Sequence, residues 1–111
     1  MIERFSEYQV MWIFVFFDLP TETKTERKKY TEFRKLLLRD GFSMFQFSIY
    51  LRHCASRENA EVHIKRVKSW LPTEGYVGIL MVTDKQFEQM ELFHCRQAQK
   101  KEIHTQQLEL F

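Results

Sequence analysis

Val10-Met11-Trp12-Ile13-Phe14-Val15-Phe16-Phe17-Asp18-Leu19-Pro20 decides the fold: eight apolar residues run unbroken into one carboxylate and a Leu-Pro turn. A short run rich in aromatic and β-branched residues, halted by Asp and Pro, reads as a strand buried on both faces. Asp18 then stands at the C-terminal end of a central strand. A carboxylate held rigidly there suits divalent-metal binding and phosphodiester chemistry, which makes it the first candidate functional residue. The alternative is an Asp that only organises the turn into Leu19-Pro20.

Beyond that strand, Thr23 and Glu26 have capping-box spacing and Gly41 supplies a stop, predicting a helix over 24–40. Tyr30, Phe33 and Leu37 share its core side. Lys24, Lys28 and Lys35 line up nearly opposite, with Arg39 beside them. Residues 42–52 alternate, Phe45, Phe47, Ile49 and Leu51 against Met44, Gln46, Ser48 and Tyr50, as one long strand or two broken near Gln46. Ser56 caps a second helix, with Ala60, Ile64, Val67 and Leu71 inward and Lys65 and Arg66 outward, until Pro72. Residues 75–83 form another apolar strand, Asp84 caps a short helix through Gln89, and residues 90–95 are a further strand. This order predicts an α+β, ferredoxin-like βαββαβ sandwich with an added C-terminal strand. The domain spans 1–95, including a polar extension over 1–9, and a tail occupies 96–111. A sheet this rich in Phe and Met needs its second face covered, and a homodimer packed through its sheets is the economical solution.

With 111 residues the chain makes one domain, and a formal charge of +2 leaves nucleic-acid binding to depend on where the 17 Lys and Arg lie. The apolar run is far shorter than the roughly 20 residues needed to cross a bilayer, so a cytoplasmic protein without membrane contact is expected. Cys54 and Cys95 fit neither a disulfide framework nor a CxxC clip. The dipeptides His53-Cys54 and His94-Cys95 invite a zinc reading, but neighbours on a strand point to opposite faces.

Taken in order, these motifs resemble the small CRISPR-associated protein two family, partner of the CRISPR integrase. The likeness rests on Val15-Phe16-Phe17-Asp18-Leu19, on Arg27 and the basic helix after it, and on Gly41 followed by Gln46-Phe47-Ser48-Ile49-Tyr50. It covers roughly residues 10–95. It implies a homodimer with both copies of Asp18 near a twofold axis, where Mg²⁺ would sit, and a role in spacer acquisition. The dimer would bridge integrase dimers as a heterohexamer and bind prespacer DNA. Some members are reported as metal-dependent RNases or DNases, which makes Asp18 the implied catalytic and metal-binding residue of an alternative endonuclease. The family often has Tyr before the Asp, where this chain has Phe17.

Lys24, Arg27, Lys28, Lys35 and Arg39, with Lys65 and Arg66 behind them, are the candidate phosphate contacts, such contacts giving affinity without reading sequence. Solvated helix faces are the plainer reading. At residues 107–111, Leu108, Leu110 and Phe111 alternate as a strand would when docking on the dimer mate or the integrase. The same Gln-Leu-Glu-Leu-Phe resembles the short peptide by which bacterial proteins dock on the replication sliding clamp. A ferredoxin-like RNA-binding module lacks the needed K/R-G-F-x-F strand. A toxin nuclease of similar size would show Asp18-dependent toxicity.

Overall fold

The computed structural model describes residues 9–95. The elements run β1 (Met11–Asp18), α1 (Lys24–Arg39), β2 (Ser43–Gln46), β3 (Ile49–Cys54), α2 (Arg57–Ser69), β4 (Tyr76–Thr83) and α3 (Asp84–Glu88). The strands form one antiparallel sheet in the order β2-β3-β1-β4, a ferredoxin-like arrangement. The expected tail residues, including Leu108, Leu110 and Phe111, lie outside the described residues. Among the described residues no helix is long and apolar enough to cross a membrane.

β1 is central but not buried on both faces, as its composition suggested. Met11, Ile13, Val15 and Phe17 are buried against the helices, whereas Trp12 and Phe14 are half-buried and Phe16 and Asp18 exposed. The buried set joins Phe33 and Leu37 of α1, Ala60 and Val67 of α2, and Tyr50 of β3 in one core. Full burial of a side chain such as Ile13 or Leu37 contributes about 1.5–3 kcal/mol. Tyr50 is 1% exposed, and its hydroxyl accepts a 2.8 Å hydrogen bond from Arg34 Nε, so it is not buried unsatisfied.

Residues 42–52 make two strands, not one. The break is a bulge between Met44 and Gln46 and a turn in which Ser48 takes a left-handed φ of 63°. α1 closes one residue short of expectation, with Asp40 as its cap and Gly41 at φ 95°. Phe42 N donates to Leu37 O and Gly41 N to Leu38 O, and buried Phe42 lies in the same core as Leu37: a Schellman stop. In α2 the inward positions are Ala60, His63 and Val67, with Ile64 half-buried against the core as expected, while Leu71 is 45% exposed, because the helix ends at Ser69 with Trp70 as its cap. Thr83, not Asp84, caps α3 through a capping box with Gln86. Asp84 instead accepts a 2.7 Å hydrogen bond from Trp12 Nε1. Residues 90–95 are not a strand. Leu92 and Phe93 instead line a cleft beside β2 with Met44 and Phe47.

The end of α1 is tied down by a polar cluster. Asp40 Oδ2 lies 2.7 Å from His63 Nδ1, which therefore carries the proton, and Oδ1 accepts from Arg66 at 2.7 Å. Arg52 of β3 donates from Nε to Asp40 O at 2.9 Å. Burial alone raises the Asp40 carboxyl, but the hydrogen bonds and charges of His63 and Arg66 outweigh it, and the group sits below its ordinary value. Its stabilising effect is therefore complete above the ordinary carboxylate range and lost as pH falls through the lowered folded-state value. Asp40→Ala should cost about 1–3 kcal/mol at neutral pH by leaving His63 unpartnered, a gap that narrows in acid when both proteins are unfolded in urea.

Candidate functional site

Asp18 is the last residue of β1 and pairs across the ladder with Tyr76, the first residue of β4. Two backbone approaches fix it. Gly75, at φ 98°, sits so close that a Cβ there would stand 2.7 Å from Asp18 O and 2.8 Å from Leu19 Cδ2, so only glycine lets the turn into β4 reach the end of β1. On the other side Phe17 N donates to Ser48 O at 3.1 Å, pinning the β2–β3 turn onto β1. The result is a cleft of about 370 Å³ with Asp18, Phe16, Ser48, Ile49, Tyr76 and Gly78 in its lining. The Asp18 side chain is exposed in it.

Phe17, where a tyrosine was the expected neighbour, points into the core. Its ring meets Phe33 at 5.2 Å and lies 5.7 Å from both Tyr30 and Tyr50. Tyr76 is the residue that sequence reasoning missed: its nearness to Asp18 appears only in the β1–β4 register, which composition does not encode.

Of the other carboxylates near Asp18 in sequence, Asp40 is committed to His63 and Arg66, and Glu22 lies in the exposed turn before α1, outside the Asp18 cleft. No group of three or more His, Cys, Asp or Glu among the described residues is arranged to hold a metal. Asp18 offers a hard oxygen donor suited to Mg²⁺, but a magnesium site needs a further carboxylate or phosphate oxygens beside it. The two His-Cys pairs are separated in role. His53 lies edge-on to Trp12, Cys54 is buried with its thiol pushed up chiefly by burial, and His94 borders the cleft beside β2.

The turn from Asp18 into α1 is built by the capping box. Glu26 Oε1 accepts from Glu22 N and Thr23 N at 2.9 and 3.0 Å, and Thr23 Oγ1 accepts from Glu26 N at 3.1 Å. Arg27 staples the same turn, donating to Thr21 O and Glu22 O at 3.2 and 3.0 Å. Lys24, Lys28, Lys35 and Arg39 are exposed and sit on the side of α1 away from Phe33 and Leu37. Lys65 is exposed on α2; Arg66 is half-exposed, with one guanidinium nitrogen spent on Asp40. The structure thus gathers the lysines and Arg39 on the outer helix face, and turns Arg27 and Arg66 partly to architectural use.

Residues 11–90 match the family model described as CRISPR associated protein Cas2. A protein of Flavobacterium psychrophilum named CRISPR-associated endoribonuclease Cas2 is 60% identical over 108 residues, 97% of this chain and 94% of the relative. Relatives of the same name from Parvibaculum lavamentivorans and Paracidovorax avenae are 48% and 45% identical, over 91% and 94% of this chain and 100% and 96% of their own lengths. With the sheet order, the strand ending in Asp18 and the basic helix that follows it, these matches establish that the chain belongs to the CRISPR-associated Cas2 family.

Proposed function

We propose that the protein serves CRISPR spacer acquisition as a homodimeric adaptor, binding prespacer DNA and bridging dimers of the integrase. One observation carries this reading: among the described residues, the largely open apolar sheet face and the basic helix face lie on opposite sides of the domain. The open face offers Phe16 and Leu80 at 45% and 51% exposure, a poor surface to leave in water. Two copies joined through it would turn both α1 layers outward, so that Lys24, Lys28, Lys35 and Arg39 of each copy present positive charge at a fixed span. Lys65, Arg27 and Arg66 add to that field. In this reading catalysis belongs to the integrase, and Leu108, Leu110 and Phe111 dock on the integrase, the dimer mate or a sliding clamp.

The name endoribonuclease on the relatives favours a second reading, an endonuclease. A sheet-to-sheet dimer would bring two copies of Asp18 toward one axis and supply a second carboxylate, which the described residues of one chain do not place beside it. Bound there, Mg²⁺ would polarise a phosphodiester and activate water. The chain's own part is to hold Asp18 rigid, through Gly75 and Ser48, and exposed to the backbone of single-stranded RNA or duplex DNA.

Leu80→Glu should convert the dimer to a monomer by light scattering. Reconstituted with the integrase, the triple variant Lys24→Glu/Lys28→Glu/Lys35→Glu should lose spacer integration while remaining dimeric. Its DNA affinity should fall by about tenfold or more at moderate salt. Asp18→Ala should integrate normally. If Asp18→Ala loses both integration and Mg²⁺-dependent cleavage while still dimerising and binding DNA, the endonuclease reading replaces the adaptor.

A further inference from the structure

We propose that Asp40 is a positioning residue for DNA binding: it anchors one nitrogen of Arg66, so that the rest of the guanidinium stands outward as a preformed phosphate contact at the C-terminal end of α1. The proposal rests on the reading of the helix layer as the DNA-binding face, and adds how one contact there is held.

The two partners differ in burial. The Asp40 side chain is 7% exposed and that of Arg66 53%. Asp40 is also fixed from within, since it caps α1 and its Oδ2 takes the Nδ1 proton of buried His63 on α2. A line of hydrogen bonds therefore runs from the core through Asp40 to Arg66 Nη1, in two links of 2.7 Å, and ends in water. Arg52 is the contrast within the same cluster: its Nε goes to Asp40 O and its Nη1 to His53 O, so two of its nitrogens serve the backbone. Arg66 commits Nη1 alone among the described residues, which leaves Nε and Nη2 as donors for something outside the chain.

An untethered arginine on a surface helix loses rotamer freedom when it grips a phosphate. The anchor removes part of that loss beforehand, and the planar head carries the direction of the fixed nitrogen to the free ones. Their geometry matches two phosphate oxygens. Position favours a polyanion over a single carboxylate: Asp40 directly follows Arg39, so the anchored head stands where the basic side of α1 ends, and it neighbours exposed Lys65 on α2. An acid beside a DNA path would by charge alone only weaken binding, so the sign of its effect separates anchoring from repulsion.

The test measures the affinity of the full-length protein for a labelled DNA duplex across a salt series. Arg66→Ala should bind about tenfold more weakly and lower the steepness of the salt dependence by about one for each copy in contact. Asp40→Ala should bind about threefold more weakly although it removes a negative charge. Made in the Arg66→Ala background, the same change should leave binding unchanged or strengthen it, because only repulsion is then removed. A gain of affinity on Asp40→Ala in the otherwise wild-type chain overturns the proposal. So does an equal loss in both backgrounds, which marks a general loosening of the α1 end. If Asp40→Ala fails to fold, guanidinium NMR of the wild type decides: duplex should shift the Arg66 Nε resonance and leave that of Arg52 in place, and an unmoved Arg66 overturns the proposal. Binding that needs Lys24, Lys28 and Lys35 but not Arg66 defeats the anchored contact and leaves the adaptor reading standing. A wild type that binds no duplex defeats both.

Discussion

The antiparallel pairing of β1 with both β3 and β4 is the constraint on which everything else depends. It makes β1 central, so its alternating residues define two faces: Met11, Ile13, Val15 and Phe17 enter the helix-side core, and Trp12, Phe14, Phe16 and Asp18 occupy the other. A one-residue slip would exchange the sets, placing Asp18 in the core and Ile13 in water. Register is thus enforced by the same apolar burial that stabilises the domain, and the location of the carboxylate follows from packing. Gly75 and the Ser48 turn then close the strand end on either side, holding Asp18 rigid yet exposed.

Much of this was legible in the chain because the signals were local. Thr23 with Glu26, Ser56, and Gly41 mark helix ends by hydrogen-bonding chemistry confined to a few residues, and each acts as its spacing implies. The basic side of α1 was legible for the same reason, helical period being a property of one segment. What escaped was non-local. The unbroken apolar run of β1 does not reveal that, among the described residues, its second face is covered only near Trp12 by Phe87, since Trp12 and Phe16 are apolar like Ile13 and Val15. The inward place of His63 could not be read from α2 alone, since its partner, Asp40, caps another helix. Tyr76 gave no sign of its place opposite Asp18, and Leu92-Phe93 resembled strand material although no backbone partner among the described residues takes it up.

The cationic residues divide by what their charge does. Arg34, Arg52 and Arg66 satisfy buried or half-buried acceptors, namely Tyr50 Oη, Asp40 O and Asp40 Oδ1. Their planar, multi-donor heads suit that work, and a lysine in those places would forfeit the geometry. The lysines of α1 are exposed point charges on long flexible stems, suited to a polyanion whose phosphates need neutralising without being read individually. A net charge of +2 conceals this division, because it weighs stapling arginines and outward lysines equally.

Asp18 is informative because of what is built around the end of its strand. An exposed acid at a strand end is cheap to keep and contributes little to stability. Here, though, the turn before β4 has a glycine whose Cβ would collide with Asp18 O, and β3 is entered through a left-handed serine whose carbonyl receives Phe17 N. Left-handed serine is a conformational cost, and the close approach forbids any side chain at position 75. Such expense holds the backbone at the strand end and leaves the carboxylate exposed, without a hydrogen-bonding partner among the described residues. On the proposed reading its use lies outside the single chain, in a twofold mate that doubles the charge and in a cation that the doubled charge can hold.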